Sequence, residues 1–172
     1  MHGSDLLVDA FGRIRGAFHG AVRGLTTDQL AHRPDGAANS IAWLAWHLSR
    51  VQDDHVSGVA GTVQLWTSAG WAERFSLPFD TAEIGYGHSS DDVGSVRAES
   101  DLLVAYYDAV HERTIAYVRQ LGTDELDRIV DTSWDPPVSL GQRLVSVIED
   151  DLQHVGQAAY VRGLVERMPS NP

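Results

Sequence analysis

The chain contains no cysteine among its 172 residues. That excludes a disulfide framework, a thiolate nucleophile and any thiolate metal ligand, so thiol chemistry would need a thiol brought by a ligand. Lysine is absent too, and all 13 basic residues are arginine, which excludes a Schiff-base lysine. No apolar run approaches the roughly 20 residues that span a bilayer, and no basic segment followed by an apolar one opens the sequence. A soluble, unprocessed, cytoplasmic protein is therefore expected, with no membrane partner. Positive charge is scarce: the formal net charge is −11, and nucleic acid as a partner would need a basic footprint that this chain lacks.

What is present is ordinary globular composition, 43% hydrophobic and 22% charged, of a length that fits one domain spanning 1–172. Four long helical segments are legible. The first runs from about Ser4 to Leu25, with Leu7, Phe11, Ile14, Phe18 and Val22 at spacings of three and four. A second begins after the N-cap pair Asn39–Ser40 and carries Leu44, Leu48, Val51 and His55 on one stripe. The third is expected over about Asp91 to Leu121, with Leu103, Tyr107, Val110, Thr114 and Tyr117 in register. The fourth follows the helix-blocking pair Pro136–Pro137, opens on a Ser139/Gln142 capping box and continues to about Arg167. Between the second and third lies a Gly- and aromatic-rich stretch, roughly Thr62 to Ser90, too long for a simple turn. The pattern predicts an all-α four-helix bundle with one long crossover between helices 2 and 3.

The chemistry gathers in "EDDLQHVGQ", Glu149 to Gln157. Asp150 and His154, four apart, share one helix face and form a two-ligand clamp for a divalent ion; Asp151 and His154, three apart, form a second. Spacing alone reads such a pair first as an exposed ion pair. The apolar stripe of Leu144, Val147, Val155 and Ala158 is centred nearer Asp151, which periodicity therefore places deeper. A buried carboxylate needs an arginine, a histidine or a cation beside it. On the second helix His47 lies beside the interior stripe and is placed to face His154 across the bundle. Two imidazoles and one carboxylate make a set that zinc accepts with an open fourth position. His55 is two turns further on, about 12 Å along the axis, and does not join the same ion. Asp54 is similarly distant and is a candidate partner for Arg50 or for a bound substrate, and Arg50, Arg143 and Arg162 near this face are candidates to hold a substrate carboxylate or sugar hydroxyls.

The segments "NSIAWLAWHLSRVQDDH" and "LGQRLVSVIEDDLQHVGQAAYVRGL" together resemble the DinB/YfiT-like superfamily. The likeness is greatest to the actinobacterial branch related to mycothiol-dependent maleylpyruvate isomerase and mycothiol S-transferases. It extends over nearly the whole chain, with the "WH" of the second helix and the "HxGQ" of the fourth as its most specific parts. The resemblance implies a bundle holding a divalent metal, zinc or nickel, through His47, Asp150 and His154. It favours Asp150 over Asp151 as the carboxylate ligand, although the family more often has a longer or imidazole side chain there. Asp151 then stands as an alternative ligand or neighbour, and Gln157 as a residue orienting His154. The activity implied is thiol S-transfer: the low-molecular-weight thiol mycothiol, activated as a thiolate, attacks a small electrophile. A homodimer is compatible with bundles of this size.

Overall fold

The computed structural model describes residues 2–168. Four long helices build it: α1 (Gly3–Val22), α3 (Ile41–Ala60), α7 (Ser100–Val118) and α8 (Leu140–Val165), with the short helices α2 (Thr27–Ala31), α4 (Leu65–Ser68), α5 (Trp71–Phe75) and α6 (Ser90–Ser95) in the connections. The long helices form a four-membered ring in which α8 packs on α1 and α3, and α7 packs on the same two from the other side. None of the described helices is long and apolar enough to cross a membrane.

Cross-helix contacts fix the directions. The guanidinium of Arg162, late in α8, donates to the carbonyl of Arg23, just past α1, so these two helices run parallel. On α7, Asp108 accepts from Arg15, and Ser100 at the N-terminus donates to Val22 at the end of α1, so that pair is antiparallel. Gln52 meets Thr114 and Val59 meets Tyr117, so α3 and α7 run the same way. Parallel neighbours cannot be joined by a tight turn, and the chain must return the length of the bundle between α3 and α7. That return is the long crossover.

Local chemistry sets most boundaries. Ser40 caps α3 by accepting from the Trp43 amide, and Ser139 with Gln142 closes a capping box on α8. Thr26 and Gln29 do the same for α2. The expected third helix is corrected: it does not begin at Asp91. Ser89 and Asp92 box a separate short helix, α6, which ends at Gly94–Ser95; an extended Val96 follows, and α7 starts at Ser100. Glycine and serine are poor helix formers, and burying Val96 and Ala98 secures the break. The connection before α8 holds a 3₁₀ turn (Thr123–Asp127) and a small antiparallel hairpin of β1 (Ile129–Asp131) and β2 (Val138–Ser139), neither of which the helical pattern announces.

The crossover is packed down, not loose. Trp66, Trp71 and Phe75 cluster on Tyr106 of α7, while Phe79 and His88 pack on Trp46 of α3. As a result α3 is buried on every side from Ile41 to Asp53. Two charged residues of α3 tie the crossover in place. Asp53 accepts from the amides of Leu65 and Trp66 and from the Tyr106 hydroxyl. Arg50, wholly buried, donates to the Gln64 side chain and to the carbonyls of Thr81 and Glu83, with its guanidinium 4.9 Å above the Trp66 ring.

Candidate metal centre

The segment 83–88 of the crossover folds over His47. The Ile84 carbonyl lies 2.5 Å from His47 Nδ1; a carbonyl only accepts, so Nδ1 carries the proton and the lone pair sits on Nε2. The approach requires glycine next. Gly85 has φ +104°, and a Cβ there would lie 2.5 Å from His47 Nδ1 and 3.2 Å from Trp46 Cζ3. Trp43 stacks on the other face of the imidazole, centroids 4.6 Å apart and planes 14° from parallel. Burial lowers the His47 pKa to about 4, so the ring is neutral at pH 7 and its Nε2 is a ready donor.

Across the seam, α8 supplies the other two groups. His154 faces His47 with ring centroids 4.8 Å apart. Its Nδ1 lies 3.3 Å from the Gln157 amide oxygen, which leaves Nε2 directed at the seam, 3.6 Å from Asp150 Oδ1. The other carboxylate oxygen, Oδ2, is buried with no hydrogen-bond partner. One donor atom from each of His47, Asp150 and His154 falls within 4.8 Å of the others, a spacing at which the three could share one divalent ion. The residues fit a divalent cation. The lone pairs are free, each imidazole is held by its other nitrogen, and the orphaned Asp150 oxygen lacks any partner but one that an ion would provide.

Electrostatics agree with the geometry. Burial opposes charge on Asp150, but His154 outweighs it and the carboxyl pKa is lowered. Burial likewise opposes the imidazolium of His154, yet Asp150 prevails and that pKa is raised. Asp150 and His154 thus each favour the charged form of the other, while His47 beside them is neutral at pH 7.

Sequence reasoning left Asp150 and Asp151 as rivals. Asp151 is fully buried, neither of its oxygens has a partner, and it stands outside the cluster of three donors. Desolvation, with Asp150 adding to it, raises its pKa well above the usual carboxylate range. Gln157 touches His154. The candidate substrate residues do not converge on one spot. Arg50 is consumed as the crossover brace and has no open face. Arg162 donates to the Glu166 carboxylate and to the Arg23 carbonyl at the far end of α8. Asp54 and Arg143 line a polar pocket near β1, where Arg143 bonds Asp131. His55 pairs with Asp54 there.

Three contributors escaped the sequence reading: Ile84, Gly85 and Tyr86. The Tyr86 ring stands edge-on to His47, its centroid 5.2 Å away, with its hydroxyl 3.5 Å from Asp150 Oδ1. Partial burial and that carboxylate push its pKa up to about 12, so it stays a donor. The only signal was "GYG", a tyrosine between glycines that both take positive φ. His88 is in the wall too: Trp43 Nε1 donates to its Nδ1 at 3.2 Å and Glu83 lies 2.9 Å from its Nε2.

Residues 10–158 match the DinB superfamily. The chain belongs to the DinB superfamily. A solved structure titled "Crystal structure of the conserved protein of locus from Enterococcus faecalis" is similar to it at 32% identity and a TM-score of 0.90, covering 98% of this chain and 99% of that one. A search among curated proteins returned no match. For this DinB superfamily protein the bundle is thus shown by sequence and by fold, and the donor set sits on the seam between α3 and α8.

Proposed function

We propose that this DinB superfamily protein is a cytoplasmic, zinc-dependent thiol S-transferase of the actinobacterial branch that uses mycothiol and a small electrophile. The observation that carries the reading is the His47–Asp150–His154 cluster: three donors on two helices, with an unpartnered carboxylate oxygen and with Asp150 and His154 both partly exposed. The absence of cysteine agrees with a site whose sulfur arrives with its ligand. A divalent cation held by these residues supplies the positive charge that lowers a thiol's pKa, so that thiolate is present at neutral pH.

The chain's own residues do the rest. Ile84 and Gln157 fix the two imidazoles so that each Nε2 faces the seam. Trp43 closes the inner wall against water. Tyr86, held protonated, directs its hydroxyl toward the same opening, where it donates to an oxygen of the incoming electrophile. In the transfer the sulfur–carbon bond forms as the leaving group departs with its electron pair, and the thiol proton passes to solvent.

Conjugation of mycothiol to a bimane-type electrophile by zinc-loaded protein, beside glutathione and coenzyme A, tests this reading. Turnover that is fastest with mycothiol, and lost in His47→Ala and in chelator, is expected. Metal-loaded protein that turns over no thiol would make it a non-catalytic metal-binding protein instead.

A further inference from the structure

Trp43 touches both imidazoles of the donor set. Its indole lies flat on His47 and stands edge-on to His154, with centroids 6.3 Å apart and planes at 86°. The indole therefore bounds the orientation of His47 from one face and that of His154 from the side. Whatever fixes Trp43 fixes the frame in which the two imidazoles meet.

Packing alone can seat an indole in this core. Among the described residues, the buried indoles of Trp46 and Trp66 have no partner for Nε1. That of Trp43 is different: it donates to His88 Nδ1 at 3.2 Å. An indole N–H only donates, so Nδ1 of His88 is the bare nitrogen and Nε2 carries the proton. Glu83, whose carboxylate lies 2.9 Å from Nε2, accepts that N–H and so selects the tautomer that leaves Nδ1 free for Trp43. The His88 ring has no room to swing away. Its side chain is 4% exposed, it stacks on Trp46 with planes 20° apart, and Phe79 packs on it at a centroid distance of 4.5 Å. A relay of Glu83, His88 and Trp43 thus runs from the half-exposed rim of the crossover to the face of His47.

We infer that His88 is a positioning residue of the metal centre: by accepting from Trp43 it locks the indole that orients both imidazoles, without itself supplying a ligand. The inference rests on the metal reading of His47, Asp150 and His154, and it adds a residue outside the donor set that governs their affinity. Two substitutions separate holding Trp43 from filling space. His88→Phe keeps a ring between Trp46 and Phe79 but offers Trp43 no acceptor. His88→Asn keeps an acceptor oxygen where Nδ1 stands, because the two side chains share Cβ and Cγ, and it empties the space of the ring.

The experiment measures zinc affinity by competition titration, and urea unfolding in chelator, for wild type and four variants. These are His88→Phe, His88→Asn, Trp43→Phe and the double variant Trp43→Phe/His88→Phe. His88→Phe should bind zinc about 10- to 100-fold more weakly than wild type. His88→Asn should unfold at lower urea than His88→Phe, yet bind zinc within about twofold of wild type. In the Trp43→Phe background, adding His88→Phe should cost no more than about a further twofold, because the group it acts through is already gone. Zinc affinity that follows stability across the variants, a His88→Phe protein that binds as wild type does, or a full loss that persists in the Trp43→Phe background overturns the inference and leaves the metal centre standing. Wild type that takes up less than about a tenth of an equivalent of zinc overturns the metal reading, and the inference with it.

Discussion

Replacing Asp151 by asparagine should stabilise the metal-free protein, and the gain should grow with pH. Asp151 is entirely buried and both of its oxygens lack partners. Desolvation, with the neighbouring Asp150, holds its folded-state pKa well above the normal value. In the unfolded chain the same carboxyl titrates near 3.9. Between those two pKa values the native state binds the proton that the unfolded state has lost. Stability from this group is therefore complete below about pH 4 and falls as pH rises toward the folded-state value, by about 1.4 kcal/mol per pH unit. Asparagine keeps the shape and does not titrate. The difference between variant and wild type should widen as pH rises from 5 to 7, by up to about 1.4 kcal/mol for each pH unit that lies below the folded-state pKa, each such kcal/mol being worth roughly 2–4 °C in Tm for a chain of this size. Urea unfolding of both proteins in chelator at pH 5, 6 and 7 measures it, and all other titrating groups cancel in the difference. A difference that stays constant with pH, or narrows, would refute the reasoning, because it would mean that Asp151 is ionised and compensated in the folded state.

Other consequences are as definite. Metal affinity should fall about tenfold per pH unit once pH drops below the raised pKa of His154, because the proton held there by Asp150 competes with the ion; zinc titrations from pH 8 to pH 5 read this directly, and a flat profile would remove His154 as a ligand. Gly85→Ala should weaken zinc binding by about 10- to 100-fold, since its Cβ would displace either the His47 ring or the Ile84 carbonyl that orients it; unchanged affinity in a competition titration contradicts that role. Arg50→Met should cost about 3 kcal/mol or more in urea unfolding, because Asp53, the Gln64 side chain and two crossover carbonyls lose a buried partner. A loss below about 1 kcal/mol would mean the brace is dispensable.

How far the sequence could be read depended on what surrounds each helix. Helices with one solvated face displayed themselves: Leu7, Phe11, Ile14 and Phe18 are all buried on α1, at the spacing that predicted them. On α3 the same reasoning placed His47 beside the core but could not sort Arg50. The crossover buries the outer face of that helix as well as the inner, so polar residues there serve the packing of the loop. The rivalry on α8 has a similar cause. Periodicity finds the centre of the buried stripe, and Asp151 occupies it; a ligand shared with a second helix sits at the stripe's edge, where Asp150 and His154 are partly exposed. The hydrophobic pattern was silent on Ile84, Gly85 and Tyr86 because their part is played by a backbone carbonyl, a positive φ and a loop side chain, none of which leaves a period.

The most direct test of the metal centre is zinc stoichiometry after reconstitution and removal of loosely held ion, for wild type, Asp150→Ala and Asp151→Asn in parallel. About one equivalent is expected in wild type and in Asp151→Asn, with less than about a tenth in Asp150→Ala. Zinc retained by Asp150→Ala and lost from Asp151→Asn, or absent from all three, would contradict the account.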